Sequence, residues 1–429
     1  MESTKDRKDF GKGGVSAWVT LTVCSLLFML NYMDRQVLSV VLEPMRKDLG
    51  LSDTQAGMLQ SIFLLCIALF AFPVGALVDR WSRKKSIGLM ALIWSVATFM
   101  TGLGKNFVGV ILPRTFVGVG EAGFSSGGTA MITAAFPASF RSRAMGIFNA
   151  FMALGIALGV VLGGYLSANF GGWRTPFYFF AIPGVILGII AFFLKDYKTV
   201  EEGSSAGKGF WQNAAYVFKV PSMRWIFVGA GLTNFSNYAM LAWFPTLLIR
   251  TMKVGEDKAG LIMGIIVVGS IIGTFLGGYL ADLWYRRNIK GRVLVASWAA
   301  LAALGFVVAG IFLLGIGQYM VAFIMLFIYA VISATWLPGI NVASQEVVHP
   351  RNKAMAWGMA VLFMYLIGAP SPAIVGAISD LIGGGVAGLQ YAMLIPPFVG
   401  VFASLCFWRC SVNYPRDVDK IKNLVLEAE

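Results

Sequence analysis

Charge is scarce in this sequence: Asp, Glu, Lys and Arg together make up 13% of its 429 residues, about half the share in an ordinary soluble domain. A chain this long with so few charges cannot solvate a surface, which excludes a soluble globular protein. Histidine is almost absent. The single one, His349, stands beside Pro350 at an expected helix end and is badly placed to carry protons through a bilayer. The four cysteines, Cys24, Cys66, Cys406 and Cys410, all fall in or at apolar runs. They read as small buried hydrophobes, with spacing that suits neither a disulfide framework nor a metal site. There is no His-Glu metal pair, no Walker-type loop and no Gly-x-Ser-x-Gly elbow. Gly118-x-Gly120 lies inside an apolar run, where it cannot be a dinucleotide turn. An enzyme is therefore not expected, and nothing calls for a metal or an organic cofactor.

What the sequence does have is apolar length. Hydrophobic residues make up 58% and glycine supplies 50 positions. Apolar windows near 17–44, 54–78, 87–104, 107–134, 142–168 and 174–194 are followed by a polar stretch at 195–222. Six more come near 223–250, 258–281, 291–314, 318–346, 353–381 and 386–408. Each is near the roughly 20 residues that a helix needs to cross the hydrocarbon core. In lipid only helices and closed barrels satisfy the backbone, and runs of this length favour helices. The expected fold is an all-α, multi-pass membrane protein of twelve transmembrane helices. It would form two six-helix bundles, 1–194 and 223–429, joined by a cytoplasmic linker at 195–222.

The formal net charge of +13 suggests nucleic acid at first sight, but the positions argue against that partner. Basic residues gather in every second gap, as in Lys5 to Lys12, Arg80 to Lys85, Arg141 with Arg143, Arg286 to Arg292, Arg351 with Lys353, and Arg416 to Lys422. This is the positive-inside bias, and it predicts both termini in the cytoplasm. Arg46, Lys47, Arg250 and Lys253 break it. The basic N-terminal stretch leads into a full-length span with no convincing small-residue cleavage site, so a removed signal peptide is not expected.

The two halves repeat. Gly75-Ala-Leu-Val-Asp79-Arg80-Trp-Ser-Arg83-Lys84 follows the second span, and Gly278-Tyr-Leu-Ala-Asp282-Leu-Trp-Tyr-Arg286-Arg287 follows the eighth. Arg141-Ser-Arg143-Ala-Met opens the fifth span and recurs as Arg351-Asn-Lys353-Ala-Met at the eleventh. Parallel six-helix repeats are the plan of one large group of transporters. On the loop motif and the repeat, the chain resembles the major facilitator superfamily along its whole length, with Ser82 where the motif usually has glycine. The resemblance implies gating roles for Gly75, Asp79, Arg80, Arg83 and Lys84, and for Asp282 and Arg286 in the second copy. Gly75 would let helices approach closely, and the basic residues would bind headgroups or latch a gate. A plain topology signal explains Arg83 to Lys85 equally well.

Four ionisable residues fall deep inside expected spans: Asp34 and Arg35 in the first, Arg114 and Glu121 in the fourth. A charge near the bilayer centre costs about 2.5–3.5 kcal/mol on insertion scales, so such residues usually face a bundle interior and serve function. Arg114 and Glu121 are two helical turns apart and share a face. The alternative is a structural ion-pair cluster, which is weakened because buried pairs often gain nothing over an apolar core.

Asn31-Tyr32-Met33-Asp34-Arg35, together with Arg114-x-x-x-Gly118-x-Gly120-Glu121-Ala122, is similar to patterns in Spinster-like transporters and the related organic-anion symporters. The resemblance implies Glu121 as proton site, Asp34 as coupled partner, and Arg35 and Arg114 as conformational or anion-binding cations. Sugar-acid carriers of this clan usually carry Ser-x-Phe-x-x-x-Tyr in the second helix. Here Ser61-x-Phe63 is followed by Ile67, so sugar hydroxyls lose a partner, while Asn31 to Arg35, Asp79-Arg80-x-x-Arg83-Lys84 and Gly376-x-x-x-Asp380 lean toward the Spinster-like side and its lysophospholipid and sphingoid-type cargo. Substrate-binding candidates are Tyr32 and Asn31, then Asn234, Asn237, Tyr238, Trp336 and Asn341. Polar side chains in such spans serve as interhelical glue just as readily.

The expected function is thus a proton-coupled secondary transporter of an anionic organic solute or an amphiphilic lipid, working by rocker-switch alternating access. The proton gradient would stand in place of any cofactor. An uncoupled facilitator, a sodium-coupled organic-acid carrier and a non-transporting receptor are the alternatives. The expected setting is the inner (cytoplasmic) membrane, as a monomer among membrane lipids.

Overall fold

A computed structural model of the chain describes residues 14–196 and 206–426. The basic residues Lys5 to Lys12 and the linker residues Glu201 to Ser205 lie outside that range. Every regular element among the described residues is helical. The spans are α1 (Val15–Leu49), α2 (Asp53–Arg80), α3 (Arg83–Gly102), α4 (Phe107–Glu121, continued by Phe124–Ala135), α5 (Ala138–Asn169) and α6 (Thr175–Ala191). Then come α7 (Pro221–Met252), α8 (Glu256–Tyr285), α9 (Gly291–Gly315) and α10 (Tyr319–Ala334, continued by Trp336–Glu346). The last two are α11 (Lys353–Gly368, continued by Ser371–Leu381) and α12 (Gly385–Leu426). Among the described residues, ten helical stretches are long and apolar enough to cross a membrane, and Thr175–Ala191 is a shorter apolar helix. Large apolar side chains such as Phe193 (82% exposed), Phe275 (77%) and Tyr279 (66%) stand outward, as they do where hydrocarbon replaces water.

Two compact units divide the chain, one comprising Met1–Val200 with Lys253–Gly264, the other Glu201–Met252 with Ile265–Glu429. The same three helix pairings build each unit, and small residues make them close. In the first unit α5 lies on α1, where a Cβ on Gly155 would stand 2.4 Å from the Met29 carbonyl and one on Gly159 2.8 Å from Met33 Cα. α4 lies on α2 through Gly118, and α6 lies on α3, where Gly184 meets Ser95. In the second unit Gly368 of α11 meets Tyr238 of α7, and Gly273 of α8 meets Val331 of α10. Ser297 of α9 donates to the Ser404 carbonyl of α12 at 3.0 Å. The repeat written in the sequence is therefore a repeat of contacts. Gly155, Gly159 and Gly163 brace α1 inside their own unit.

The polar stretch between the halves contains a helix, Ala206–Lys219, that the sequence reading passes over. Val217 is fully buried and sits with Met223, Ile226 and Tyr414 in the apolar core of the second unit. Three of the four basic residues that break the topology bias have partners. Arg46 contacts Glu43 at 3.1 Å and Asp53 at 3.5 Å, Lys47 lies 3.4 Å from Glu43, and Arg250 donates to the Gly385 carbonyl at 3.0 Å.

Candidate functional site

The intramembrane charges converge in the first unit because α4 is wedged between two neighbours by glycines two positions apart. A Cβ on Gly118 would lie 2.7 Å from the Phe63 carbonyl of α2, and one on Gly120 would lie 2.9 Å from the Trp94 nitrogen of α3. No larger residue fits at either point, and the next position is Glu121, where the first segment of α4 ends. On the opposite side Gly159 lets the α5 backbone press on Met33, so α1 presents Asn31, Asp34 and Arg35 to α3 and α4.

Arg35 Nε donates to Glu121 Oε2 at 2.8 Å, with the glutamate side chain fully buried and the arginine 12% exposed. Thr98 of α3 donates its hydroxyl to Asp34 Oδ2 at 3.0 Å. Arg114, fully buried, bonds neither carboxylate and donates from Nη1 to the main-chain carbonyl of Asp34 at 3.4 Å. Aromatic faces support both guanidiniums: Arg35 lies 4.6 Å from the Tyr32 ring centroid and Arg114 lies 4.8 Å from that of Phe63. Such contacts help to hold a cation whose water has been removed. Asp34 Oδ1, Glu121 Oε1, Arg114 Nε and Nη2, and both amide atoms of Asn31 are buried without a hydrogen-bond partner among the described residues.

This arrangement can act as a charge exchanger. Removing one partner of a buried ion pair leaves an uncompensated charge at a cost of about 3–5 kcal/mol. If Glu121 takes a proton, Arg35 therefore needs another anion or must move. Six of the sequence candidates (Asn31, Tyr32, Asp34, Arg35, Arg114 and Glu121) are thus brought together. Thr98 and Phe63 belong to the same site and were missed. The spacing Ser95-x-x-Thr98-x-x-Thr101 in an otherwise apolar helix was the available signal.

The second-unit candidates divide. Asn237 accepts from Tyr329 at 3.4 Å and borders, with Ser236, Ser333 and Trp336, a cavity of about 30 Å³, room for about two waters. Asn234 donates to the Ala230 carbonyl at 3.1 Å, and Asn341 accepts from Gln345 at 2.6 Å, both within their own helix. Tyr238 stacks on Tyr365 at 5.8 Å, and Trp336 stacks on Phe407 at 6.0 Å inside the core.

Of the gating residues, the side chains of Asp79 and Arg80 lie outside the described residues. Among the described residues, nothing lies within 4 Å of a Cβ placed on Gly75. Ser82 caps α3 at the Lys85 nitrogen, 3.3 Å away, and donates to Asp196. That gives the motif's unusual serine a local role, while Arg83 and Lys84 form the first turn of that helix. In the second copy Asp282 receives Arg292 at 3.1 Å, and the same guanidinium pairs with Glu346, which also accepts from Tyr414. Arg286 is exposed beside them. The sequence pattern gave no sign of Arg292, Glu346 and Tyr414 as a group.

Residues 24–372 match the family model described as Major Facilitator Superfamily. An "MFS-type efflux pump" of Mycolicibacterium smegmatis is 26% identical over 412 residues, covering 94% of each chain. "Protein spinster homolog 1" of Xenopus tropicalis is 26% identical over 461 residues, covering 97% of this chain and 86% of that one. In fold, the chain resembles the crystal structure of a bacterial homologue of the human lysosomal transporter Spinster, in an inward-facing and unoccupied conformation. The TM-score is 0.82 at 23% identity, over 94% of this chain and 98% of the other.

Proposed function

The chain belongs to the major facilitator superfamily and is a multi-pass membrane transporter, and we propose that it is a proton-coupled carrier of an amphiphilic organic anion. The observation that carries this reading is the buried pair of Arg35 and Glu121 at 2.8 Å. Glu121 takes the proton, and the freed Arg35 guanidinium takes the anionic group of the cargo. Each event lowers the cost of the other, because either alone strands a charge away from water. Asp34, held by Thr98, is the second carboxylate through which the proton is shared, and Arg114 keeps the field of the site positive. Energy comes from the proton gradient through alternating access.

The flanks of Arg35 favour an amphiphile over a sugar acid. Its guanidinium lies between the rings of Tyr32 and Phe63, at 4.6 and 5.8 Å, and Ile67 replaces the tyrosine typical of sugar-acid carriers. Relatives at similar identity carry both kinds of name, a sphingosine-1-phosphate transporter SPNS2 of Xenopus tropicalis and a hexuronate transporter of Bacillus subtilis.

The test is proton release or uptake on adding lysolipids, sphingoid phosphates or small organic acids to purified protein in weak buffer, followed by flux in proteoliposomes. Glu121→Gln should exchange cargo across the membrane and fail to concentrate it under an imposed pH gradient. A mutant that still concentrates cargo would remove Glu121 from the proton path. Flux without proton movement in the wild type would make the protein a facilitator.

A further inference from the structure

An open groove of about 640 Å³ runs along the outer face of the second unit between α7 and α12. Leu232, Val399, Phe402 and Leu405 line its length, and none of these carries a polar atom in its side chain. Its one charged lining residue is Arg409, which lies beside Trp225 and Trp408. Three contacts fix the register of the antiparallel pair. Ser236 of α7 bonds the Pro396 carbonyl, Gly229 meets Phe407, and the Cys410 thiol lies 3.5 Å from the Ser222 carbonyl. Trp225 is therefore level with Trp408 and Arg409, and all three stand at one end of the groove.

Beyond that end the same stripe of α12 becomes basic. Phe402, Leu405, Arg409, Arg416 and Lys420 follow one another at helical spacing, and all five are exposed. The change from aromatic and aliphatic to tryptophan and then to cationic side chains along one face is the profile of the boundary between hydrocarbon and headgroups. Arg409 has no hydrogen-bond or ion-pair partner among the described residues, although a guanidinium offers five donors in a fork matched to phosphate.

We propose that this groove is a binding site for one anionic phospholipid of the surrounding bilayer, its acyl chain between α7 and α12 and its phosphate on Arg409. The chemistry on both sides agrees: an apolar channel open along its length takes a flexible chain, and a free guanidinium at its tryptophan-bearing end takes a phosphodiester. Arg416 and Lys420, further along the stripe, raise the local concentration of anionic headgroups and contribute long-range attraction. The site lies wholly within the second unit and is independent of the proton-binding residues.

The test uses the full chain in nanodiscs of phosphatidylcholine with phosphatidylglycerol, mild extraction into detergent, and native mass spectrometry of the retained lipid. The wild type should keep phosphatidylglycerol preferentially. Arg409→Gln should lower that retention roughly fivefold, while Arg409→Lys keeps part of it. Arg224→Gln removes an exposed basic residue near Trp225 that does not line the groove, and it should retain phosphatidylglycerol as the wild type does. Equal retention by the wild type and Arg409→Gln would overturn the proposal. So would displacement of phosphatidylglycerol by added lysolipid at cargo concentrations, which would make the groove a cargo path. Cross-linking of Phe402→Cys between two copies in the bilayer would also overturn it, because the occupant would then be a second protomer.

Discussion

Thr98 places its hydroxyl 3.0 Å from Asp34 Oδ2, so that a helix with no charged residue near the site holds one of its two carboxylates in place. The hydroxyl can donate to a carboxylate and rotate to accept from a carboxylic acid, so it suits Asp34 in both protonation states. Thr98→Val keeps the shape and removes that bond. It should reduce accumulation of cargo under a pH gradient while leaving counterflow exchange within about twofold of wild type, and Thr98→Ser should restore the ratio. A merely structural threonine would lower both rates together, and that outcome would reject the positioning role.

The ion pair of Arg35 and Glu121 predicts a pattern of stabilities. Either single neutralisation, Arg35→Met or Glu121→Leu, leaves the other charge buried and should cost about 3–5 kcal/mol. The double variant removes both charges and should recover most of that loss, while proton-driven accumulation stays lost. Thermal unfolding in detergent for the four proteins gives the cycle. Additive losses would show that the two side chains do not depend on one another.

Much of this could be read in the sequence, because few things other than a bundle interior tolerate charges such as Asp34, Arg35, Arg114 and Glu121 in an apolar span. The partner of Glu121 could not. Arg114 shares its helix face, but its guanidinium turns to the main-chain carbonyl of Asp34, and the partner of Glu121 comes from another helix. Thr98 was hidden for a related reason: a hydroxyl in an apolar helix usually bonds its own backbone, as Thr101 does with the Ala97 carbonyl at 2.9 Å. The linker helix Ala206–Lys219 was obscured by glycine and polar residues, and its stability comes from docking Val217 into a core assembled from distant segments.

Glycines of similar appearance on α5 should tolerate change very differently. A Cβ on Gly155 would stand 2.4 Å from the Met29 carbonyl, a backbone atom that cannot give way without moving α1. Gly155→Ala should therefore destabilise the protein by about 1–3 kcal/mol and disturb the position of Asp34 and Arg35. Gly146 lies on the same helix with nothing within 4 Å of an added Cβ. Gly146→Ala should be neutral or stabilising, by up to about 1 kcal/mol, since alanine is the better helix former. Melting temperatures of the two variants, with transport rates beside them, decide the point, and equal effects would contradict the packing described for α1 and α5.

The start of α7 depends on a carboxylate 195 positions away in the chain: Asp417 Oδ2 accepts from the Ser222 backbone nitrogen at 3.0 Å and from its hydroxyl at 2.7 Å. A buried anion at a helix N-terminus satisfies donors that the helix itself cannot and meets the positive end of its dipole. Asp417→Ala should cost about 1–2 kcal/mol, and Asp417→Asn less, because the amide oxygen still accepts. The loss should also be local. Val217, Tyr414 and Val418 share one core cluster, so hydrogen exchange should quicken in Ala206–Lys219 and in the last turns of α12 and stay unchanged around Arg35 and Glu121. Faster exchange throughout both units would mean that Asp417 supports the fold as a whole, and the linker helix would then have no separate anchor.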